Sequence, residues 1–240
     1  MNGVEYEEAT YEGEFKAGKR EGYGVMTWAD GSSFSGVWKN DQRHEGEMSM
    51  ANGFTYRGGF KDDKFSGQGM LLMQGRDYLI YQGEFNKGCY TPIGKLLFPN
   101  GDVYFGQFQD FVRQGVGKLI QLDGTIYEGG WEQDRKNGKG RLIDGASGDI
   151  FIGDFSDGKK QGRGILYSKA NETIYDGDWS NDNKHGEGFV LHRNGRIDHG
   201  EFRGGVAEGK SHLKQVISVE EAERIFLLAM TQREAFIAIR

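Results

Sequence analysis

Residues 127–142 read Tyr127-Glu128-Gly129-Gly130-Trp131-Glu132-Gln133-Asp134-Arg135-Lys136-Asn137-Gly138-Lys139-Gly140-Arg141-Leu142. In an extended chain alternate side chains share a face, so Tyr127, Gly129 and Trp131 point one way and Glu128 and Gly130 the other. A polar turn follows, after which Gly138, Gly140 and Leu142 alternate onto one face again. The stretch is therefore two half-buried strands joined by a turn. The same phrase recurs nine times, opening at Tyr11, Phe34, Tyr56, Tyr81, Tyr104, Tyr127, Phe151, Tyr175 and Asp198, at intervals of 22–25 residues. A fixed period in this range marks a repeat array.

Between units stand Asp30-Gly31, Asn52-Gly53, Asn100-Gly101, Asp123-Gly124 and Asn194-Gly195, dipeptides that supply positive φ in tight hairpins. Successive units are thus expected to pair antiparallel. The chain holds 40 glycines, which weaken ordinary strands. Opposite a ring, however, a missing side chain leaves room for the aromatic to lie flat. Two rings bury too little surface to order a whole unit, so stability must come from stacked neighbours. The fold class predicted is mainly β: an elongated single-layer antiparallel sheet of stacked β-hairpin repeats with a C-terminal α-helix.

These residues resemble the MORN repeat (membrane occupation and recognition nexus). Tyr127-Glu128-Gly129-Gly130-Trp131 through Gly138-Lys139-Gly140 is close to a full copy, as is Tyr175-Asp176-Gly177-Asp178-Trp179 through His185-Gly186-Glu187-Gly188. The resemblance runs from residue 11 to about 209, with departures at His44-Glu45-Gly46, at Pro92 and at Asp198. Weaker or bent strands are expected in those units. The resemblance implies a curved ribbon with an aromatic-lined concave side. The domain reading is a 1–10 N-terminal segment, an 11–209 repeat array and a 210–240 capping or partner helix.

A net charge of −6 argues against a nucleic-acid binder. Cys89, the only cysteine, allows no intrachain disulfide, and a reducing cytoplasm is the default expectation. Residues 1–10 are acidic and lack the apolar stretch of a signal peptide. The apolar runs 225–230 and 235–239 are too short to span a bilayer, and Asn171-Glu172-Thr173 is read as a chance glycosylation match.

Gly13 to Lys19 and Gly153 to Lys159 fit seven positions of a phosphate-binding loop, but Arg20 and Lys160 replace the Ser or Thr that would hold magnesium. His44 and His185 sit in units far apart. His192 and His199 flank a hairpin without a third Cys or His to complete a zinc site. No nucleophile, base and orienter form a set. The chain is therefore read as a non-enzyme with no catalytic, cofactor or metal residues.

Three features carry partner-binding expectations. The second ring of each unit, including Phe108, Trp131, Phe155, Trp179 and Phe202, is expected to line a groove suited to a helix or extended peptide. Basic residues fall in the turn inside each unit, and Arg135, Lys136, Lys159 and Lys160 are taken as an edge for an anionic partner. Ser218-Val219-Glu220-Glu221 opens a helix expected to run to the chain end. Its wide apolar arc, with Ile225, Phe226 and Phe236, would cap the last strand and leave surface for a partner, a homodimer mate or a larger assembly.

The functional expectation is a structural scaffold docking partner proteins in a cytoskeletal assembly, with cilium or flagellum axoneme suggested by the resemblance alone. The alternative is a membrane-associated adaptor binding anionic phospholipid through the basic edge.

Overall fold

The computed structural model describes residues 2–6, 9–73, 79–110 and 112–231. They form nineteen strands and one helix, in two compact units, Met1–Phe105 and Gly106–Arg240. The first unit carries β1 (Asn2–Tyr6), β2 (Ala9–Lys16), β3 (Lys19–Trp28), β4 (Ser33–Lys39), β5 (Gln42–Ser49), β6 (Phe54–Lys61), β7 (Lys64–Met73), β8 (Leu79–Asn86) and β9 (Cys89–Leu97). β10 (Val103–Gln109) crosses the division. The second unit carries β11 (Val112–Ile120), β12 (Ile126–Glu132), β13 (Arg135–Ile143), β14 (Ile150–Ser156), β15 (Lys159–Ser168), β16 (Thr173–Ser180), β17 (Asn183–His192), β18 (Arg196–Arg203), β19 (Val206–Val216) and α1 (Val219–Thr231).

Within each unit every strand pairs antiparallel with its neighbour in sequence, so the mainly β hairpin series read from the repeats is the architecture found. Two boundaries differ from the expected ones. β1 lies inside the N-terminal segment and adds a strand beside β2, with Val4 opposite Tyr11. At the other end β19 runs past residue 209 to Val216.

The period hides two different turns. Inside a unit both turn residues have positive φ, as at Asn40 and Asp41 (48° and 70°), Gln133 and Asp134 (46° and 65°), and Asn181 and Asp182 (49° and 68°). These are the two-residue primed turns that match strand twist. In the Asn-Gly and Asp-Gly loops between units only the glycine is left-handed, for example Gly31 at 84°. Its N–H donates to the Trp28 carbonyl at 3.0 Å, and Asp30 Oδ1 accepts the Ser32 N–H at 2.8 Å. The Asn-Gly and Asp-Gly pairs therefore build wider loops, and the tightest turns lie at the other end of the hairpins.

A bulge inside each unit also escaped the period-2 reading. Gly129 faces Gly140 but Trp131 faces Lys136, so residues 137–139 stand against Gly130 alone. Gly138 absorbs the excess at φ 76°, a conformation costly for other residues. The irregular units adapt at this point. His44 replaces that glycine, and there Val37 faces Glu45 while Trp38 faces Arg43, a smaller excess of one residue. Pro92 occupies the same bulge in β9, where the shift falls between Gly83 and Phe85 and a ladder N–H is not needed.

Candidate functional site

The rings are the interior of this protein. Each first aromatic lies over a pair of glycines facing each other across its hairpin, as Tyr127 does over Gly129 and Gly140. A Cβ added at Gly140 would stand 2.6 Å from that ring. The second aromatic then packs edge-on against two first aromatics. Trp131, Tyr127, Phe155, Phe151, Trp179, Tyr175 and Phe202 form one such zigzag, with centroids 5.0–5.5 Å apart and planes at 77–89°. This is the edge-to-face geometry that ring quadrupoles favour. In the first unit the zigzag runs through Phe15, Tyr11, Trp38, Phe34, Phe60, Tyr56 and Phe85.

The polar atoms of these rings are satisfied inside the fold. Trp38, Trp131 and Trp179 donate Nε1–H to the carbonyls of Gly24, Gly117 and Gly164 at 3.0–3.2 Å. The hydroxyls of Tyr11, Tyr56, Tyr127 and Tyr175 donate to the carbonyl three residues ahead, at 2.8–3.1 Å. Burial pushes the Tyr175 phenol up to about 12, with Asp178 adding to the effect.

The expected groove is corrected accordingly. Phe108, Trp131, Phe155, Trp179 and Phe202 are 3–8 % exposed and belong to the core. A single sheet needs no second layer to cover its rings, because the rings are covered by their neighbours and, in most units, by a cation.

That cation, where present, is the second residue after the inner turn, as at Arg20, Arg43, Arg113, Lys136, Lys160 and Lys184. Arg20 lies 4.3 Å over the Trp38 ring, Arg113 lies 4.2 Å over Trp131, and the ammoniums of Lys160 and Lys184 stand 5.1 Å and 4.7 Å from the Trp179 and Tyr175 centroids. The same residue reaches forward to the next turn. Asp134 Oδ1 accepts from the Arg113 backbone N–H at 2.9 Å and from Nε at 2.8 Å. Arg113 Nη2 donates to the Asp134 carbonyl, and the Asp134 N–H donates back to the Arg113 carbonyl at 3.1 Å. Arg20 with Asp41 repeats this clasp, and Lys160 with Asp182 keeps its backbone half.

The four residues taken as one basic edge thus divide. Lys136 and Lys160 are half-buried over rings, Lys136 5.3 Å from the Tyr127 centroid, and burial pulls both ammoniums below the ordinary lysine range. Arg135 and Lys159 remain exposed, with Arg135 paired to Asp157 at 2.9 Å and Lys159 3.5 Å from Asn181 Oδ1. Adjacent residues in a strand point to opposite faces, and that alternation separates them.

Ser218 caps α1 as its sequence suggests, accepting the Glu221 N–H on Oγ at 3.1 Å. Ala222, fully buried, packs with Ile174 and Leu191, flanked by Tyr167, Ile197 and Ile217, on the face opposite the rings. Ile225 is 37 % exposed. Phe226 falls within the helix, and Phe236 lies outside the described residues.

Among the described residues no three His, Cys, Asp or Glu side chains are grouped to hold a metal, and no helix is long and apolar enough to cross a membrane. His192 is engaged with Asp198 at 2.8 Å, while His199 stacks on Phe189 with centroids 4.6 Å apart.

Comparison with known proteins agrees with this geometry. A solved structure, the wild-type TCP10 domain of Danio rerio CPAP, is similar in fold with a TM-score of 0.53 at 13 % identity, covering 90 % of this chain and all of that one. Human and mouse Alsin are each 34 % identical over 89 residues, which is 35 % of this chain and only 5 % of Alsin. The MORN repeat model matches residues 11–33, 34–45, 56–73, 81–103, 127–146, 151–171 and 175–195, seven of the nine units read from the sequence. The segments opening at Tyr104 and Asp198 are unmatched, yet both form strands of the same series. With more than half of its length matched in register with the hairpins, the chain belongs to the MORN-repeat family.

Proposed function

We propose that this protein is a non-enzymatic scaffold that docks partner proteins on the faces of its hairpin repeats turned away from the rings. The observation that carries the reading is apolar surface on the face turned away from the ring core. Tyr23 (57 % exposed) and Val25 project there in the first unit, and Ile165 and Phe189 in the second. Val219, Ile225 and Leu227 on α1 add exposed apolar surface. Apolar surface rimmed by charge is the usual mark of a protein-binding site. Clasped turns and interlocked rings hold that surface in a fixed shape, which limits the ordering cost of binding.

A cytoskeletal assembly, with a cilium or flagellum as its setting, follows from the family resemblance. The lipid-adaptor alternative draws less support, since two of its four cations lie over rings and Arg135 is held by Asp157.

The test is affinity capture with the full chain and with Ile165→Glu/Phe189→Glu and Ile225→Glu variants, proteins being identified by mass spectrometry. The reading expects a reproducible partner lost in at least one variant. Captures identical to those of an unrelated acidic protein would sink it.

A further inference from the structure

The positive charge that the sequence placed in the second unit is free in the first. Lys16, Lys19, Lys39, Lys61, Lys64 and Lys87 all flank inner turns of that unit and all are exposed. Among the described residues none of these six ammoniums has a carboxylate within ion-pair distance. Lys39 Nζ instead meets His44 Nε2 at 2.9 Å. Two of the turn carboxylates nearby are already committed, Asp41 to Arg20 and Asp63 to Arg43, which leaves Asp62 alone beside Lys61 and Lys64.

The charge is densest where the clasp is missing. At the third inner turn Phe65 stands in place of the inward cation and stacks on Tyr56 with centroids 3.9 Å apart. Gly88 stands where other inner turns present Asp41, Asp63, Asp134 or Asp182, and its N–H still donates to the Phe65 carbonyl at 2.9 Å. Lys61 and Lys64 face each other across the last rung of the hairpin, a placement in which like charges repel. With Lys87, Ser66, Asn86 and Asp62 they line an open cleft of about 420 Å³.

We infer that this edge of the first unit docks an extended acidic peptide segment of a partner protein, with a carboxylate seated among Lys61, Lys64 and Lys87. This rests on the scaffold reading and names the partner's chemistry. Successive inner turns are two strands apart, roughly 10 Å at about 4.8 Å per strand. An extended peptide in the polyproline II conformation turns once every three residues and advances roughly 9 Å in doing so, so an acid at every third position faces each turn in succession. A flat anionic membrane fits less well, because Glu21 and Asp62 interrupt the lysines along the edge. A peptide can present neutral residues at those points.

The experiment measures fluorescence anisotropy of a labelled peptide, Glu-Ser-Gly repeated four times, against the full chain across a salt series. Binding should weaken steeply with salt. Lys61→Gln/Lys64→Gln/Lys87→Gln should lower affinity about tenfold or more, and Arg135→Gln/Lys159→Gln should change it less than about twofold. All five side chains are exposed, and circular dichroism checks that both variants fold.

Absence of binding at low salt, or equal loss in both variants, overturns the site. So does binding to phosphatidylserine vesicles with none to the peptide. Those results leave the scaffold reading intact if captured partners persist in the triple lysine variant. Wild-type captures identical to those of an unrelated acidic protein would remove that reading instead.

Discussion

The guanidinium carbon of Arg113 lies 4.2 Å above the Trp131 ring while its Nε–H donates to Asp134 at 2.8 Å, so one side chain seals the core and ties two units of the repeat together. The carboxylate partner is half exposed, which weakens the ion pair as such. The ring contact and backbone hydrogen bonds give the clasp its geometry.

Asp134 holds φ at 65°, and this separates two contributions in one position. Asp134→Gly should lose the carboxylate but relieve the left-handed strain, and Asp134→Ala should lose the carboxylate and keep that strain, leaving it about 1 kcal/mol less stable than the glycine variant. Urea melts of the two variants check the difference. Equal stabilities would mean that the turn relaxes.

The glycine pairs make a sharper contrast. Gly140→Ala places a methyl 2.6 Å from the Tyr127 ring and should cost about 1–3 kcal/mol. Gly200 occupies the seat of Gly129, the other glycine under Tyr127, in the last unit, but that unit opens with Asp198, and nothing stands within 4 Å of an added Cβ. Gly200→Ala should lie within about 0.5 kcal/mol of wild type. Thermal or urea unfolding of both variants decides whether the ring sets the cost.

Trp131→Ala removes a side chain only 4 % exposed, its bond to the Gly117 carbonyl and the platform under Arg113. A loss of about 3–5 kcal/mol is expected. Its effect on partner capture should therefore follow unfolding, and hydrogen exchange in β11 to β13 should rise.

Alkaline pH reports the buried phenol. Tyr175 titrates at about 12 in the fold against 10.0 for the ordinary group. The unfolded chain therefore releases this proton first, and stability is lost as pH rises from 10 towards 12. Lys136, Lys160 and Lys184 act oppositely, since burial lowers their folded values and stability rises as pH climbs towards the ordinary 10.5. Tyr175→Phe should remove the tyrosine part alone, so the wild-type minus variant difference in denaturation midpoint should fall above pH 10. A flat difference would mean that the phenol is not held in a dry site.

Ala222 anchors α1 with no exposed surface. Ala222→Leu should overpack the contact with Ile174 and Leu191 at a cost of about 1–3 kcal/mol. Limited proteolysis should then cut within 217–231 first, leaving the hairpins protected.

Much of this fold is legible in the order of residues. Tyr127-Glu128-Gly129-Gly130-Trp131 reports strand, face and repeat together, because alternation and a fixed period are properties of the backbone. Ser218 and Glu221 likewise announce a helix start from local hydrogen bonding. The bulge at Gly138 was harder to read, although a glycine pair two apart beside a turn is its visible signal. The tight turns at Asn40-Asp41 and Gln133-Asp134 were masked by the more familiar Asn-Gly pairs.

The amino-acid order by itself determined that two-stranded units stack with rings over glycines, since burial demands it at every repeat. It also led to the family. Only the tertiary structure decided which faces remain for partners. A ring's exposure depends on the neighbouring hairpins leaning against it, and a lysine's freedom depends on whether the next turn offers a carboxylate. These are contacts between residues about twenty positions apart, and no local pattern records them. Trp131 is therefore core, Lys160 covers a ring, and the uncommitted cations stand at Lys61, Lys64 and Lys87.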